Sequence, residues 1–269
     1  MTHNFFTSHL KPIAISGLIA KGTVYCLLGA LTFMAAFRIG GHSAKETSKE
    51  GVFEFVHRQT GGQVMLGIIA LGLFCYVLWR FIQAFADTAD KGNDAKGIAV
   101  RARYVLSGLI YGSIAVHVVQ RIVSGAKGSG SQKEDITAQA MQIPAGEWLV
   151  GLGALILVGV GFYQLYYGYS GKYKKHVEKA AGHNRQGLLL GAGKVGYVAR
   201  GLVWLLLAWL FFKAALHANS NEAGDTSKAF AFLHDAEYGK FLLAAIGFGL
   251  VCYGVFNFIR AKFERFGRG

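Results

Sequence analysis

The pentapeptide Lys21-Gly22-Thr23-Val24-Tyr25 returns as Ser107-Gly108-Leu109-Ile110-Tyr111 and again as Arg200-Gly201-Leu202-Val203-Trp204. Each copy sets a glycine three residues before a large aromatic. A second series, Gly72 with Tyr76, Gly159 with Tyr163 and Gly249 with Tyr253, alternates with the first. Its members are four residues apart, which stacks them on one helix face. Both series recur at intervals near ninety residues, so the chain reads as three copies of a two-helix unit.

The surroundings of these motifs show where the helices sit. Of 269 residues, 53% are hydrophobic and 16% charged, with 37 Gly, 2 Pro and a mean hydropathy of +0.36. Soluble domains carry roughly 25% charged residues, so the composition excludes a water-soluble globule. A hydrocarbon core of about 30 Å takes roughly 20 apolar residues as a helix. Six stretches meet that need: residues 13–37, 64–85, 104–119, 148–169, 195–216 and 241–259. Lys21 interrupts the first, which also matches later spans, so it reads as a retained span and not a signal peptide. The expectation is one all-α membrane domain, residues 1–269, with repeats at about 13–87, 100–175 and 190–266. Three hairpins inserted with one polarity imply a pseudo-threefold arrangement about an axis normal to the membrane, unlike the inverted repeats of many transporters. The repeated glycines read as packing contacts, because helices associate in lipid through close backbone approach.

The segments before the even spans also repeat. Phe53-Glu54-Phe55-Val56-His57 precedes Gly62 at the offset by which Phe230-Ala231-Phe232-Leu233-His234 precedes Gly239. Thr47-Ser48-Lys49 and Thr226-Ser227-Lys228 supply helix-capping residues before them. Each outer loop is therefore expected to hold a short amphipathic helix at the interface. In the middle copy, Ala138-Gln139-Ala140-Met141 lacks the aromatics and the His, and Pro144 implies a different turn.

Taken together, the Ala199-Arg200-Gly201-Leu202-Val203-Trp204 start, the Gly72-to-Tyr76 pattern followed by Leu78-Trp79-Arg80, and the Gly-led entries at Gly62, Gly146 and Gly239 resemble a known family. That family is the bacterial and plant membrane proteins called domain of unknown function 1206, whose members look like three consecutive paired-helix units. The resemblance runs from about Gly17 to Phe263 and implies fold and topology but no activity. Lys21 and Ser107 stand where the third copy has Arg200, a departure from its Arg-Gly pair.

Candidate chemistry is sparse. Lys21 and Arg200 lie at equivalent positions about two turns inside their helices, and Arg80 is one turn beyond Tyr76. Intramembrane charge points to function, here an anion or lipid-headgroup site; the alternative is that the long side chains snorkel to the interface. His57 and His234, with His42, His117 and His217, fall on the outer half and define a possible outer-face site. They lack the tight spacing of a metal centre, so no metal or other cofactor is expected. No span carries a central Asp or Glu, Ser107 has no acid beside its distant His117, and Gly191-Ala192-Gly193-Lys194 falls short of a phosphate loop. Cys26, Cys75 and Cys252 all fall in apolar stretches. These absences point away from an enzyme. Two readings remain: a non-catalytic protein binding lipid, a lipophilic ligand, a membrane-protein partner or a second copy of itself, and a small channel or transporter with a pathway between the repeats.

The net charge of +13 raises nucleic acid as a partner, but the basic residues lie between spans, where they set topology. With both termini on one face, eighteen of the 28 Lys and Arg residues and five of the 15 acids fall on that side. Positive loops stay inside, so a bacterial inner-membrane protein with both termini in the cytoplasm is expected, and no nucleic-acid role. An epitope tag at either end is expected to stay hidden from antibody in intact cells and to be exposed by permeabilisation; labelling of intact cells would reverse the orientation.

Overall fold

In the computed structural model, residues 2–42, 47–87, 92, 94–124, 146–176, 186–219 and 222–263 are described, and they form helices joined by turns. In chain order these are α1 (Thr2–Ala36), α2 (Lys49–His57), α3 (Gly62–Phe85), α4 (Ala95–Ser124), α5 (Gly146–Tyr169), α6 (Gln186–Leu216), α7 (Thr226–His234) and α8 (Gly239–Phe263). Short 3-10 turns occupy Ile39–Gly41 and Lys172–His176. Six helices are long and apolar enough to cross a membrane: α1 over Lys11–Ala36, α3, α4 over Gly97–Gln120, α5, α6 over Leu190–Leu216, and α8. Span and repeat therefore agree with the sequence. The Met141 and Pro144 segment of the middle loop lies outside the described residues.

The short helices α2 and α7 lie against the ends of α3 and α8, on the face opposite the termini. They bury Val52, Phe53 and Val56 in the first copy and Thr226, Ala229 and Phe230 in the third. Ser48 caps α2, its hydroxyl accepting from the Gly51 N–H at 3.0 Å. In the third copy the cap is Asp225, which accepts from the backbone N–H groups of Ser227 and Lys228. The sequence expectation that the Thr226-Ser227-Lys228 string caps that helix is corrected: when Phe53 is aligned with Phe230, Ser48 falls on Asp225. Gly62 and Gly239 begin the following spans because they admit the carbonyls of Val56 and Leu233.

The two glycine series serve different interfaces. Gly22 packs on Gly254 and Phe258 of α8, Gly108 under the Phe81 ring of α3, and Gly201 on Gly161 and Leu165 of α5. The first series thus joins one repeat to the next around the ring and does not line the axis. Gly72 and Gly249 serve within repeats, against Ala20 and Ala199. The helices follow one another in space as α4, α3, α1, α8, α6, α5.

The within-repeat contact is closest at Gly17 and Gly196. A Cβ on either glycine would lie 2.6 Å from the Cα of Tyr76 or of Tyr253, respectively, so backbone meets backbone. Gly17→Val and Gly196→Val are each expected to destabilise by about 1–3 kcal/mol through overpacking. Gly67→Ala, where the added Cβ meets none of the described residues within 4 Å, serves as a neutral control. Thermal unfolding in detergent checks this, and equal melting for all three variants would contradict the packing.

Candidate functional site

Gly17 and Lys21 are one helical turn apart on α1, as are Gly196 and Arg200 on α6. The glycine admits the backbone of the facing tyrosine, and the cation one turn further along meets that tyrosine's hydroxyl. Lys21 Nζ donates to Tyr76 Oη at 3.1 Å, and Arg200 Nη1 donates to Tyr253 Oη. Arg80, from α3, donates through Nε to the same Tyr76 oxygen at 2.8 Å and through Nη1 to Gln83 Oε1 at 2.8 Å. Tyr76 therefore accepts from two cations.

Aromatic faces complete the enclosure. Lys21 Nζ lies 4.9, 5.0 and 5.6 Å from the ring centroids of Tyr76, Tyr111 and Tyr253. Arg200 sits over Tyr25 and Tyr253 at 5.2 and 4.4 Å, and Arg80 over Tyr76 and Tyr104 at 4.8 and 5.3 Å. The rings hold one another edge to face, Tyr76 on Tyr111 at 4.7 Å and Tyr25 on Tyr253 at 4.8 Å. The Tyr25 and Tyr111 hydroxyls are 3.3 Å apart. From the opposite face, Lys49 at the start of α2 brings its ammonium to 5.1 Å from the Tyr111 ring.

Lys21 is only 4% exposed. It lies ten residues into its span, about 15 Å at 1.5 Å per residue, which is half the depth of a hydrocarbon core. Snorkelling, the plainer reading of the sequence, is therefore corrected for Lys21: its ammonium is held by Tyr76 and points into the bundle. Among the described residues, no carboxylate pairs with Lys21, Arg80 or Arg200. The centre is basic, and the cations are partnered by tyrosine oxygens and ring faces.

Other candidate residues are distributed differently. Tyr163, the middle-copy counterpart of Tyr76 and Tyr253, is 44% exposed and outside the centre, where its hydroxyl accepts from Arg103 Nη1 at 2.7 Å. Trp204 packs half-buried against the core. His234 lies 3.6 Å from Asp235 on α7's end, and His57 on α2 has a buried Nδ1 without a hydrogen-bond partner among the described residues. Those residues hold no group of three or more His, Cys, Asp or Glu side chains able to bind a metal. A groove of about 710 Å³ lies away from the centre, between α6 and α8, with Lys194 and Tyr169 at one end and Leu233 at the other.

Sequence reasoning missed Lys49, Tyr104 and Arg103. For Arg103 a signal existed: with Gly22, Gly108 and Gly201 aligned, it occupies the column of Gly17 and Gly196. Tyr173 was also missed. It is buried beside the end of α5, where it donates to the Leu190 carbonyl at 2.7 Å, and burial raises its pKa so that it stays protonated.

Hydrogen bonds to charged groups contribute about 1.5–3 kcal/mol each, so Tyr76→Phe, which keeps the ring and removes an acceptor shared by two cations, is expected to cost about 2–3 kcal/mol. Tyr163→Phe, at an exposed bond, is expected to cost almost nothing. Melting temperatures of the two variants in detergent check this, and equal values would show that the Tyr76 hydroxyl does not support the centre.

The chain is 28% identical over 257 residues to a Bacillus subtilis (strain 168) protein named Uncharacterized protein YxxB, covering 95% of this chain and 91% of the relative. No solved structure matches it. A family profile matches three times in tandem, at residues 16–87, 102–171 and 195–264. Each match takes in one odd span and the even span that follows, and the chain belongs to the family described as Domain of Unknown Function (DUF1206).

Proposed function

We propose that this multi-pass protein is a non-catalytic binding protein of the bacterial inner membrane, with both termini cytoplasmic, and that its ligand is a lipid or lipophilic molecule with an anionic group. The observation that carries this reading is the trio Lys21, Arg80 and Arg200, drawn into the bundle without a carboxylate among the described residues. A charge in the bilayer centre costs about 2.5–3.5 kcal/mol even on the mildest scale. Replacing buried charges by apolar residues of similar size is often neutral or stabilising. A centre that keeps three cations where apolar side chains would pack supports a role for their charge. Tyrosine is the partner that leaves such charge available, since it accepts a hydrogen bond without neutralising the donor. The apolar character of the six spans supports the lipophilic half of the ligand.

The rival reading, a channel or transporter, draws support from Lys49, which adds a cation above the centre on the opposite face. Against it stands the edge-to-face packing of Tyr25, Tyr76, Tyr111 and Tyr253, which fills the space between the repeats.

Lys21→Met is expected to fold and to melt no lower than the parent protein when stripped of lipid. Anionic phosphatidylglycerol should raise the melting temperature of the parent and leave the variant unmoved, because only a ligand that binds the folded state stabilises it. Neutral phosphatidylcholine serves as control. Equal stabilisation of both proteins, or of neither, would rule the site out; anion flux through the parent in liposomes would favour the pathway reading.

A further inference from the structure

The three repeats differ at one interface. In the first and third, Gly17 and Gly196 admit the backbones of Tyr76 and Tyr253, and Ala20 and Ala199 cover Gly72 and Gly249. In the second, the same two columns hold Arg103 and Leu106. A guanidinium and an isobutyl group cannot fit where a hydrogen and a methyl fit elsewhere, so α4 and α5 do not close on each other. At Gly159, the counterpart of Gly72 and Gly249, a Cβ would meet none of the described residues within 4 Å. Leu106 is 52% exposed. The Arg103–Tyr163 hydrogen bond spans the mouth of this gap.

From the gap, a line of cations leads inward. The Tyr104 ring has the Arg103 guanidinium at 5.7 Å and the Arg80 guanidinium at 5.3 Å. Arg80 bonds to Tyr76, which also holds Lys21. Ser107, half-buried and one turn beyond Arg103 on the same face of α4, places its hydroxyl 3.5 Å from that Tyr76 oxygen. Exposed Arg103, half-buried Arg80 and buried Lys21 thus form a graded series. Arg103 lies six residues into the Gly97–Gln120 span, about 9 Å along the helix from the face carrying the termini. On the scale that puts Lys21 at half the depth of the hydrocarbon core, this is about a third of the way in, from where a long arginine side chain reaches the headgroup level.

We propose that the gap between α4 and α5 is a lateral doorway through which an anionic phospholipid enters from the leaflet on the terminal face. Its phosphate moves from Arg103 towards Arg80, and its acyl chain lies beside Leu106 and Gly159. This rests on the binding role proposed above and adds the ligand's class, its route and its leaflet. Charge complementarity selects the occupant: the walls are apolar, and the inner end is cationic. Free phosphate would match only the cations, and a neutral lipid only the walls.

The test uses full-length protein in nanodiscs, with Cys26, Cys75 and Cys252 replaced by alanine and with Leu106→Cys and Gly159→Cys joined by a reducible bis-maleimide. Uptake of pyrene-labelled phosphatidylglycerol is expected to slow by at least about tenfold on cross-linking and to recover on reduction. Uptake by the uncross-linked protein with an unchanged rate after cross-linking would overturn the doorway and leave the binding role standing. No uptake even before cross-linking would instead overturn the binding role. Millimolar inorganic phosphate should not displace the lipid; displacement would make the ligand a free anion and refute a lipid doorway. Independently of the cysteine variants, phosphatidylglycerol carrying an acyl-chain diazirine should label the parent protein on α4 and α5 around Leu106 and Gly159. Labelling spread evenly over six spans would refute the proposal.

Discussion

Backbone contact between Gly17 and Tyr76, and between Gly196 and Tyr253, is the constraint from which the centre follows. In a bilayer, apolar burial does not drive helices together, so the energy of association comes from close packing and from polar bonds between helices. A glycine lets two backbones touch. Once they touch, the tyrosine on the second helix has its hydroxyl level with the residue one turn beyond that glycine. A cation in that place gains a bond, as Lys21 and Arg200 do. The packing glycine and the buried cation are therefore two parts of one device, a Gly-x-x-x-cation face meeting a tyrosine.

Tyrosine as a partner has an electrostatic consequence that a carboxylate would remove. A paired Asp would cancel each cation and leave a neutral centre. A hydroxyl and a ring face stabilise the cation through a dipole and a quadrupole, by about 0.5–2 kcal/mol for each ring contact, and preserve its net charge. Where the dielectric is low, that charge acts further than it would in water. The result is a centre that is satisfied locally and still attractive to an anion.

Much of the fold was legible because two periods are strong in the sequence: the run of about 20 apolar residues and the repeat near ninety. The assignment of Gly22, Gly108 and Gly201 to contacts between repeats was not legible, since a glycine offers the same small surface whichever neighbour it meets. Nor was the fate of Lys21. Snorkelling and burial differ in where the end of a flexible side chain goes, and that depends on Tyr76, which lies 55 residues away in sequence. The equivalence of Tyr163 with Tyr76 and Tyr253 misled for a related reason. A repeat aligns each residue with its counterparts, but the tyrosine's position depends on the column facing it, where Arg103 replaces the glycine.

The middle copy is best understood as a rearrangement of the same device. In the outer copies the small residue comes first and the cation four residues later; in the middle copy Arg103 comes first and Ser107 follows. Moving the cation back one turn does two things at once. It removes the glycine that lets the helices touch, and it brings the charge nearer the face carrying the termini. Ser107, small and neutral, is left beside Tyr76 at the edge of the centre, where another cation would add repulsion to Lys21 and Arg80. A ring of three identical closed units would enclose its charges on every side. Two closed units and one reversed unit instead give a basic centre with a basic approach from a single side, and the exchange of residues that opens that side also puts the first cation at its entrance.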